Sequence, residues 1–507
     1  MHIIVQAGGK GTRLEKYTRN KPKCLVSVNN RPILFYALDA FPDATFHIIC
    51  DYRRDVLERY LRVFGKQYDY SLVPTDDKGT CAGIRAALKE IPAGEPVLLM
   101  WSDLILPQDW KLPADLSHDY IGISKDFECR WSYVDGNLLE QPSSEYGVAG
   151  LFLFARKEEI EDVDLSGAFT VYLQRRNFPF RSLPLYGTHE VGTILSYEEI
   201  DDRSNKCRPF NQMEFDGDVV IKTGITEKGR KLAVDEAAWY RKAQSLGYRN
   251  MPKIYAENPL RMERVRGKNI FDYPNLDREQ KEELLGKIVR ALQDLHERTA
   301  PIDCREEDVY ANYFQKTFDR IRPVQDLIPF AHDESIRING VDCRNVFFME
   351  DEIRENVRKW MPEKFHFIHG DNTFSNIMFD QFQERVVLID PRGYFGKTHY
   401  YGDADYDWAK LYYSLAGNYD QFNRKNFTLV IGAGDVQLTV GSSGWEDVAD
   451  KIFQLVPDLD AARIRFLHAL IWISLTRYAW EDYDSVCGAF YNGLWWLHEA
   501  LKQGEQA

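Results

Sequence analysis

Residues 1–25 read MHIIVQAGGKGTRLEKYTRNKPKCL, and their glycine-rich part decides the fold of the first half. An apolar run at residues 3–5 leads directly into the loop AGGKGTR at residues 7–13. Glycines after a strand let the backbone approach a ligand closely, and that ligand is often a phosphate. Two common phosphate loops do not fit, because Lys10 is not followed by Ser or Thr and Leu14 occupies a position where the dinucleotide fingerprint needs a small residue. The loop therefore serves another phosphate chemistry.

Length and composition describe a multi-domain globular protein with excess negative charge. At 507 residues the chain exceeds one ordinary domain, so two or three domains are expected. The net charge of −14 argues against binding to nucleic acid or to a membrane surface, since both need a basic face. The eight cysteines show no paired spacing, so neither a disulfide framework nor a zinc site is indicated. We find no charged leader and no run of about 18 apolar residues, and we expect a cytoplasmic protein without membrane insertion.

The sequence pattern changes near residue 200. Before that point short β-like runs alternate with helical stretches, which predicts an α/β domain with a mixed, largely parallel, Rossmann-like sheet. A polar segment at residues 201–206 is followed by short strands and then by long, aromatic-rich helical regions. We therefore predict one domain at residues 1–200 and a second at residues 201–507.

Two charged residues of the first domain are candidates for phosphate chemistry, and neither is decisive alone. Asp103 follows an apolar run at residues 97–100, and ligands of open α/β sheets lie beyond the carboxyl ends of the strands. A carboxylate beside a phosphate-binding loop suits Mg²⁺ bound to a nucleoside triphosphate (NTP). Taken alone, Asp103 is equally well explained as a helix cap or turn residue, and Lys23 is better explained as a solvated loop lysine.

Several motifs in a fixed order resemble the nucleotidyltransferases that make sugar nucleotides and CDP-alcohols. They are Gly9-x-Gly11-Thr12-Arg13 with Pro22-Lys23, Gly79-Thr80, Ser102-Asp103, and Glu190-Val191-Gly192-Thr193. The resemblance implies that Arg13 and Lys23 are catalytic cations. It implies that Asp103 and Glu190 hold Mg²⁺. The nucleotide-binding residues that it implies are Gly8, Gly9, Gly11, Thr12, Arg13, Lys23, Gly79 and Thr80. In this chemistry a substrate phosphate oxygen attacks the α-phosphorus of the NTP, and pyrophosphate leaves.

Departures from that family's pattern bear on the substrate. Glu190 stands where an Asp is usual. The segment Glu140-Gln141-Pro142 resembles the Glu-Lys-Pro segment of sugar-phosphate transferases, but Gln141 replaces the phosphate-binding lysine. A neutral amide cannot supply that charge, which weakens a sugar-1-phosphate interpretation. Residues 21–25, KPKCL, are closer to phosphocholine cytidylyltransferases, so CTP and an alcohol phosphate are favoured.

The most specific string of the second domain is FIHGDNTFSN at residues 367–376. Another apolar run, at residues 386–389, ends in Asp390. The arrangement resembles the protein-kinase-like fold, and within it the aminoglycoside phosphotransferase and choline kinase families. The resemblance implies an α+β domain with a small N-lobe at about 201–268 and a large helical C-lobe at about 269–507. It also implies that Asp371 is catalytic and orients the substrate hydroxyl, while Asn376 and Asp390 are Mg²⁺ ligands.

Residues upstream supply the other parts that this resemblance implies. Lys222, in a β-like run, is expected to bind ATP phosphates, with Glu236 as its ion-pair partner. Glu263 lies in a segment that resembles the hinge, which meets adenine through backbone groups. The loop at residues 203–207 is expected to cover the phosphates. Asp407 is interpreted as a structural support for the catalytic loop.

Four tryptophans of the C-terminal region recur at helical spacing and are predicted to be core residues. They are Trp472, Trp480, Trp495 and Trp496. A cation–π pocket for a quaternary amine is the minority interpretation of these residues.

The two halves describe consecutive reactions, because a kinase makes a phosphomonoester and a nucleotidyltransferase consumes one. We expect ATP to phosphorylate a small hydroxyl compound in the second domain. The first domain then makes a nucleotide-linked product, a precursor for cell-surface polysaccharide or lipid decoration. A choline-like or polyol alcohol with CTP is favoured. One alternative is a sugar phosphorylated at its anomeric carbon, with GTP, UTP or dTTP. Another is that one domain only binds or regulates.

Overall fold

The apolar run that opens the chain forms the central strand of a mixed sheet. The computed structural model describes residues 1–75, 79–201, 211–273 and 275–504. The chain divides into two units, Met1–Arg203 with Trp480–Asp484, and Ser204–Ala479 with Ser485–Ala507.

The first unit contains thirteen strands and five α-helices within the described residues. The strands are β1 (His2–Gln6), β2 (Ser27–Val28), β3 (Arg31–Pro32), β4 (Thr45–Cys50), β5 (Asp69–Pro74), β6 (Val97–Trp101), β7 (Leu104–Ile105), β8 (Tyr120–Ser124), β9 (Ser132–Val134), β10 (Asn137–Leu139), β11 (Gly147–Phe154), β12 (Arg181–Pro184) and β13 (His189–Glu190). The helices are α1 (Ile33–Ala40), α2 (Arg54–Phe64), α3 (Thr80–Leu88), α4 (Phe169–Arg176) and α5 (Ile194–Ile200).

The main sheet of this unit has parallel strands at its centre. Its order is β10-β9-β11-β6-β1-β4-β5, with β8 paired to β11 and β12 paired to β8. Strand β1 has a parallel neighbour on each side, β4 and β6, and its residues 3–5 are fully buried, as a central strand requires. Strand β11 runs antiparallel to β6. The prediction of a mixed sheet with a parallel centre is confirmed.

Close helix–sheet packing brings the carboxyl ends of the central strands to one edge. A Cβ at Gly83 on α3 would lie 2.5 Å from Ile49 Cγ2 on β4, so glycine allows the helix to approach the sheet. The segments that leave β1, β4 and β6 at this edge are the loop at residues 7–13, Asp51 and Asp103. The predicted phosphate loop and the predicted metal carboxylate are thereby neighbours in the fold.

The second unit begins with strands and becomes predominantly helical. Its strands are β14 (Asn211–Asp216), β15 (Val219–Gly224), β16 (Ile254–Glu257), β17 (Leu260–Glu263), β18 (Gly267–Asn269), β19 (Ile302–Asp303), β20 (Ser335–Ile338), β21 (Val341–Arg344), β22 (Lys364–Phe367), β23 (Ile377–Asp380), β24 (Arg385–Leu388), β25 (Tyr394–Phe395), β26 (Thr398–His399), β27 (Tyr401–Gly402), β28 (Phe427–Ile431) and β29 (Val436–Val440). Its helices are α6 (Glu227–Ser245), α7 (Arg278–His296), α8 (Glu306–Val309), α9 (Lys316–Ile321), α10 (Glu350–Lys359), α11 (Ala404–Leu415), α12 (Tyr419–Asn423), α13 (Ile452–Leu455), α14 (Ala461–Leu475) and α15 (Tyr483–Gly504).

A small antiparallel sheet and one long helix precede the helical region. The sheet has the order β14-β15-β17-β16, and α6 packs against β15. A Cβ at Gly224 would lie 2.4 Å from the carbonyl carbon of Gly229, so the start of α6 lies tightly against the end of β15. The helical region begins with α7, which has a capping box formed by Asp277 and Gln280. The predicted α+β arrangement is confirmed.

Helix α14 lies in the core of this helical region. Ten of its residues are buried, and Trp472 is fully buried, as predicted for a core tryptophan. Trp480, Trp495 and Trp496 are only partly buried, so the core prediction is wrong for these three. The Trp472 indole N–H donates to His468 Nε2 at 2.9 Å. In the described ranges, no helix combines the length and apolar character needed to cross a membrane.

His468 gives the second unit an acid-sensitive core. The side chain is fully buried, and burial lowers its pKa from 6.5 to about 3. The folded chain therefore keeps this imidazole neutral between these values, whereas the unfolded chain protonates it. Stability from this group is present above pH 6.5 and is lost as the pH falls toward 3, by about 1.4 kcal/mol per pH unit.

We predict that His468→Gln weakens this acid sensitivity. The glutamine amide oxygen can still accept from Trp472, but it does not titrate. Urea unfolding of the second unit at pH 7 and pH 5 should show a pH effect smaller by about 2 kcal/mol than in the wild type. His399→Gln, at an exposed position, is the control and should leave the pH effect unchanged. An identical pH effect in His468→Gln and the wild type would contradict the assignment.

Candidate active sites

The phosphate loop of the first unit packs directly against Lys23. Gly11 has a φ of +61°, a left-handed conformation that favours glycine. A Cβ there would lie 3.0 Å from Lys23 Cβ and 3.0 Å from Thr18 Cγ2. The Thr18 hydroxyl also donates to the Gly11 carbonyl oxygen at 3.1 Å. A glycine is therefore needed at residue 11 for the loop to lie beside Lys23.

The rest of the loop leaves its backbone accessible. In the described part of the chain, no atom lies within 4 Å of a Cβ placed at Gly9. A Cβ at Gly8 would lie 3.3 Å from Asp51 Cβ. Gly9, Thr12 and Arg13 are exposed. Accessible amide groups beside a cationic side chain suit the phosphates of an NTP.

The two predicted metal carboxylates come from neighbouring strands. Glu190 pairs with Leu104 across the β13–β7 ladder, and the Val191 N–H donates to the Asp103 carbonyl oxygen at 2.9 Å. A Cβ at Gly192 would lie 2.4 Å from Glu190 Oε1. The glycine of the Glu-x-Gly-Thr motif therefore leaves room for the Glu190 carboxylate.

Each predicted metal carboxylate of this site lies beside a cationic side chain. Lys23 Nζ forms a short ion pair with Asp103 Oδ2, and both side chains are mostly buried. Arg13 Nη2 lies 4.0 Å from Glu190 Oε1. Burial and the Asp103 charge raise the pKa of Glu190, while Lys23 and Arg13 lower it. The structure thus brings together four residues that lie up to 177 positions apart in the sequence, since Arg13 and Glu190 differ by that number.

The carboxylates fit a magnesium ion that is shared with a nucleotide. Asp103 Oδ1 is buried and has no hydrogen-bond partner among the described residues. Those residues also contain no group of three or more His, Cys, Asp or Glu side chains that could hold a metal. Mg²⁺ usually takes one or two carboxylates and completes its shell with water and phosphate oxygens. Asp103 and Glu190 match that requirement.

The Gly79-Thr80 segment is anchored to a nearby turn. Gly79 has a φ of +83°, and a Cβ there would lie 2.5 Å from the Gly167 carbonyl oxygen. The Cys81 N–H donates to that oxygen at 3.0 Å, and the Phe169 N–H donates to Thr80 Oγ1 at 2.7 Å. Thr80 therefore retains its hydroxyl proton for a donor contact with a nucleotide.

Lys21 lies two residues before Lys23, but its side chain is buried in ion pairs. Its side chain is 4% exposed, and Nζ lies 2.7 Å from Asp482 Oδ1 and 2.6 Å from Asp484 Oδ2 within the first unit. Burial alone would lower the pKa of Lys21, but the two carboxylates outweigh it and raise that pKa. Lys21 is thus a buried ion-paired lysine, and Lys23 is the lysine that packs against the phosphate loop.

In the second unit, Lys222 is shared by two carboxylates. Its Nζ lies 2.8 Å from Glu236 Oε2 and 2.7 Å from Asp390 Oδ1. Burial raises the pKa of Glu236 to about 7, Lys222 opposes the rise, and Asp390 adds to it. Burial disfavours the Lys222 ammonium, but the two carboxylates raise its pKa. Lys222 therefore stays charged, and Asp390 is the more exposed of its two carboxylate partners.

Asp407 accepts hydrogen bonds from the backbone of the predicted catalytic loop. This carboxylate is fully buried and accepts from the His369 N–H at 2.9 Å and from the Gly370 N–H at 2.7 Å. It also lies 3.0 Å from His296 Nε2. Both oxygens are used, so Asp407 fixes the backbone that carries Asp371, as the structural interpretation predicts.

The predicted metal ligands of this unit flank the same loop. The Asn376 amide nitrogen donates to the Asp371 carbonyl oxygen at 2.7 Å, so the amide oxygen is the atom that remains to bind a cation. Asp390 has a φ of +54°, and its N–H donates to the Tyr240 hydroxyl at 3.1 Å. An amide oxygen and a carboxylate are hard ligands that fit Mg²⁺.

Two sequence predictions for the nucleotide need comment. The Glu263 N–H donates to the Lys253 carbonyl oxygen at 2.8 Å, and its carboxylate lies 2.9 Å from Arg385 Nη2. Any adenine contact of Glu263 must therefore use its carbonyl oxygen. The loop at residues 203–207, predicted to cover the phosphates, lies outside the described residues.

The motifs missed a group of cations beside Asp371. Lys410 on α11 lies 2.9 Å from Asp371 Oδ1. Arg392 follows Asp390 by two residues, and its N–H donates to the His369 carbonyl oxygen at 2.9 Å. Lys316 on α9 comes from a helix in which no motif was recognised. The one available signal was helical spacing, since Lys410 lies three residues after Asp407 on the same helix.

Comparison with known families identifies a transferase domain in each part of the chain. Residues 3–113 match the family model of the MobA-like NTP transferase domain, and residues 226–427 match that of the phosphotransferase enzyme family. The fold and sites therefore define a chain with two phosphate-handling transferase domains. It carries a MobA-like NTP transferase domain at its N-terminus and a phosphotransferase-family domain in its C-terminal part, as the motifs predict.

Curated relatives resemble only part of the chain. The mannose-1-phosphate guanylyltransferase catalytic subunit beta of Drosophila melanogaster is 36% identical over 110 residues, which are 20% of this chain and 30% of the relative. The CTP:phosphoglutamine cytidylyltransferase of Campylobacter jejuni is 27% identical over 116 residues, which are 22% of this chain and 46% of the relative. The chain thus spans less than half the length of these relatives.

A solved structure also resembles part of the chain. The CTP:phosphocholine cytidylyltransferase from Streptococcus pneumoniae is 19% identical and covers 39% of this chain and 97% of its own, with a TM-score of 0.33.

The two loop glycines make a matched pair of test substitutions. Gly11→Ala places a Cβ against Lys23 and Thr18 at a positive φ, so we predict a loss of stability of about 1 kcal/mol or more and a displaced Lys23. Gly9→Ala meets no described atom within 4 Å and should leave stability unchanged. Thermal unfolding of both variants measures the difference. Equal melting temperatures for the two variants would contradict the packing described for Gly11.

Proposed function

We propose that the chain is a bifunctional enzyme that first phosphorylates a small hydroxyl compound and then links the product to a nucleotide. In the first reaction the acceptor oxygen attacks the γ-phosphorus of ATP, its bond to the β–γ bridging oxygen breaks, and ADP leaves. In the second, an oxygen of the new phosphate attacks the α-phosphorus of a second NTP, and pyrophosphate leaves. The acceptor's hydroxyl proton is released in the first step.

One observation carries the proposal: at each site a lysine lies within hydrogen-bond distance of a carboxylate that is suited to a metal or a proton. Lys23 meets Asp103, Lys222 meets Asp390, and Lys410 meets Asp371. Lysines supply charge for phosphates, and carboxylates supply ligands for magnesium. A site that joins two polyanions needs both, because its main tasks are positioning and charge neutralisation.

In the nucleotidyl-transfer site the protein holds two anions that repel each other. We assign the triphosphate to the backbone of the phosphate loop and to the Arg13 and Lys23 cations. Asp103 and Glu190 are the residues that would hold Mg²⁺, which supplies charge neutralisation at the phosphates when bound. The nucleophile is already an anion, so no general base is needed. Lys23 and Arg13 then stabilise the charge that develops on the transferred group.

In the kinase site Asp371 is the residue that receives or orients the hydroxyl proton. Its loop is fixed by Asp407, so the carboxylate meets the acceptor from a constant position. We assign the ATP phosphates to Lys222, and Asn376 and Asp390 as the residues that would hold Mg²⁺.

The second nucleotide is proposed to be CTP, with an alcohol phosphate as its partner. Gln141 is exposed and neutral, so the lysine that sugar-phosphate transferases use at this position is missing. A cytidylyltransferase occurs among the curated relatives. A sugar-1-phosphate with GTP is the second candidate, because mannose-1-phosphate guanylyltransferases reach 36% identity with part of the chain.

Substitutions in the two domains should block different steps. The full-length protein is incubated with candidate hydroxyl compounds, ATP and each NTP, and products are followed by mass spectrometry. Asp371→Asn should lower formation of the phosphorylated acceptor about 10²–10⁴-fold. Lys23→Ala should leave that product and lower its nucleotidylation about 10²–10³-fold.

Two exposed positions provide the matched controls. Asp351→Asn and Lys111→Ala remove the same charges and should leave both steps intact. Formation of the nucleotide-linked product at the wild-type rate by Lys23→Ala would refute the assigned transfer site. Wild-type phosphorylation by Asp371→Asn would refute the assigned kinase site.

A further inference from the structure

Three cations converge on one tyrosine beside Asp371, and we name Lys316, Arg392 and Lys410 the cation cluster. Lys316 Nζ lies 5.2 Å from the centre of the Tyr406 ring, and Lys410 Nζ lies 5.9 Å from it. Arg392 Nη1 lies 3.3 Å from the Tyr406 hydroxyl oxygen. The three side chains come from α9, from the loop after β24 and from α11, so tertiary packing brings them together.

The helix that carries Lys316 has an unusual local geometry. Residues Tyr310–Gln315 form a π-helical turn between α8 and α9. Such turns are rare and are often found at functional sites. Lys316 Nζ donates to Asn312 Oδ1 at 2.8 Å. The Asn312 amide nitrogen is buried and has no hydrogen-bond partner among the described residues, and the side chain packs beside Lys316 and Tyr406.

The cluster has more positive than negative charge. Lys410 is already paired with Asp371. Burial lowers the pKa of Lys316 well below its usual value, the charges of Arg392, Arg320 and Lys410 lower it further, and Asp371 opposes them. Burial opposes the charges of Arg392 and Lys410 as well, but Tyr406 and Asp371 outweigh it and raise the pKa of both. Lys316 is therefore the member of the cluster whose charged form an added anion would favour.

We propose that the acceptor of the kinase reaction carries an anionic group, a carboxylate or a phosphate, in addition to the hydroxyl that is phosphorylated. Lys316, Arg392 and the Asn312 amide bind that group, and Asp371 meets the hydroxyl. The inference rests on the proposed kinase function and deepens it. It also disfavours a choline-like acceptor. The ring faces of Tyr406 and Tyr413 are already used by protein ammonium groups, with Lys410 Nζ 5.4 Å from the Tyr413 centre.

The cluster is separate from the residues assigned to ATP. Lys222 on β15 and Asp390 after β24 form the assigned phosphate-binding pair. Lys316 and Asn312 lie in the helical segment at residues 310–321. Among the described residues, neither forms a hydrogen bond or an ion pair with Lys222 or Asp390. Substitution of Lys316 should therefore change acceptor binding and leave the apparent affinity for ATP unchanged.

Binding of simple ions tests the cluster without knowledge of the acceptor. The full-length protein is saturated with ADP and Mg²⁺ and titrated by calorimetry with inorganic phosphate, glycerate and tetramethylammonium. We expect at least one of the two anions to bind, and Lys316→Gln and Arg392→Gln each to weaken that binding about tenfold or more. The anion that binds more tightly to the wild type, and loses more in the variants, identifies the group as phosphate or carboxylate. Arg358→Gln, which removes an exposed charge on α10, should change nothing.

Several results would overturn the inference. They are binding of neither anion to the wild type, anion binding that is unchanged in both variants, and tetramethylammonium binding that is weakened by Lys316→Gln. Because burial already disfavours the Lys316 charge, the melting temperature of Lys316→Gln should not fall. Arg392→Gln is the second variant, so the test does not depend on one substitution.

Turnover separates this inference from the proposed kinase function. ADP formation from ATP is measured with glycerate, glycerol 3-phosphate, glycerol and choline. Turnover with an anionic compound, with a KM at least tenfold higher in Lys316→Gln and an unchanged KM for ATP, supports both. Turnover only with glycerol or choline, unaffected by Lys316→Gln, keeps the kinase and refutes the anionic acceptor. Anion binding that is lost in Lys316→Gln, without turnover of any hydroxyl compound in a broad screen, keeps the anion site and refutes the kinase.

Discussion

The structure depends on lysine–carboxylate pairs that are placed where phosphates must be handled. A half-buried ammonium or carboxylate is costly alone, and pairing reduces that cost. Lys222 shows the arrangement most clearly, because one partner, Glu236, is buried and the other, Asp390, is half exposed. The buried partner fixes the lysine, and under the proposed function a phosphate would take the place of the exposed one. The folded chain thus holds these charges in place without a bound ligand.

These ion pairs also require that the loops which carry or contact the charged side chains are held in one conformation. Asp407 fixes the loop of Asp371 through two backbone N–H groups, and Gly11 fixes the loop beside Lys23 through close packing. A charged group that moved by an ångström would lose much of its effect on a transferring phosphoryl group. Backbone geometry that only glycine or a buried carboxylate can supply is therefore as necessary as the cations themselves.

Sequence motifs were informative where local backbone geometry limits the residue type. Gly11 needs a positive φ, and Asp103 follows the end of β6, where the α/β pattern predicts a ligand. The sheet class could therefore be predicted, and the roles of the site residues stay predictions. Motifs failed where tertiary packing decides. Lys316 and Lys410 lie on helices whose faces the sequence could not assign, and Glu263 uses its N–H in a strand contact. The KPKCL segment contains two lysines with different environments. Lys21 is buried in ion pairs, and Lys23 lies beside the phosphate loop, a difference that their spacing does not show.

An anionic acceptor changes the view of the product. If the cation cluster binds a carboxylate or phosphate, the phosphorylated compound carries at least two anionic groups. The first domain must then accept a more highly charged nucleophile than a phosphocholine-like compound. In that domain the exposed Arg13 could pair with the additional negative charge, whereas the neutral Gln141 could not. Both domains must therefore bind a compound with this additional negative charge.

The central claim is that the phosphate made by the second domain is the nucleophile used by the first. It is tested most directly with ATP that carries ¹⁸O on its γ-phosphoryl group and an unlabelled second NTP, in one reaction with the full-length protein and an acceptor found by screening. We predict that the nucleotide-linked product contains all of the label and that the released pyrophosphate contains none. A nucleotide-linked product without ¹⁸O would contradict the claim.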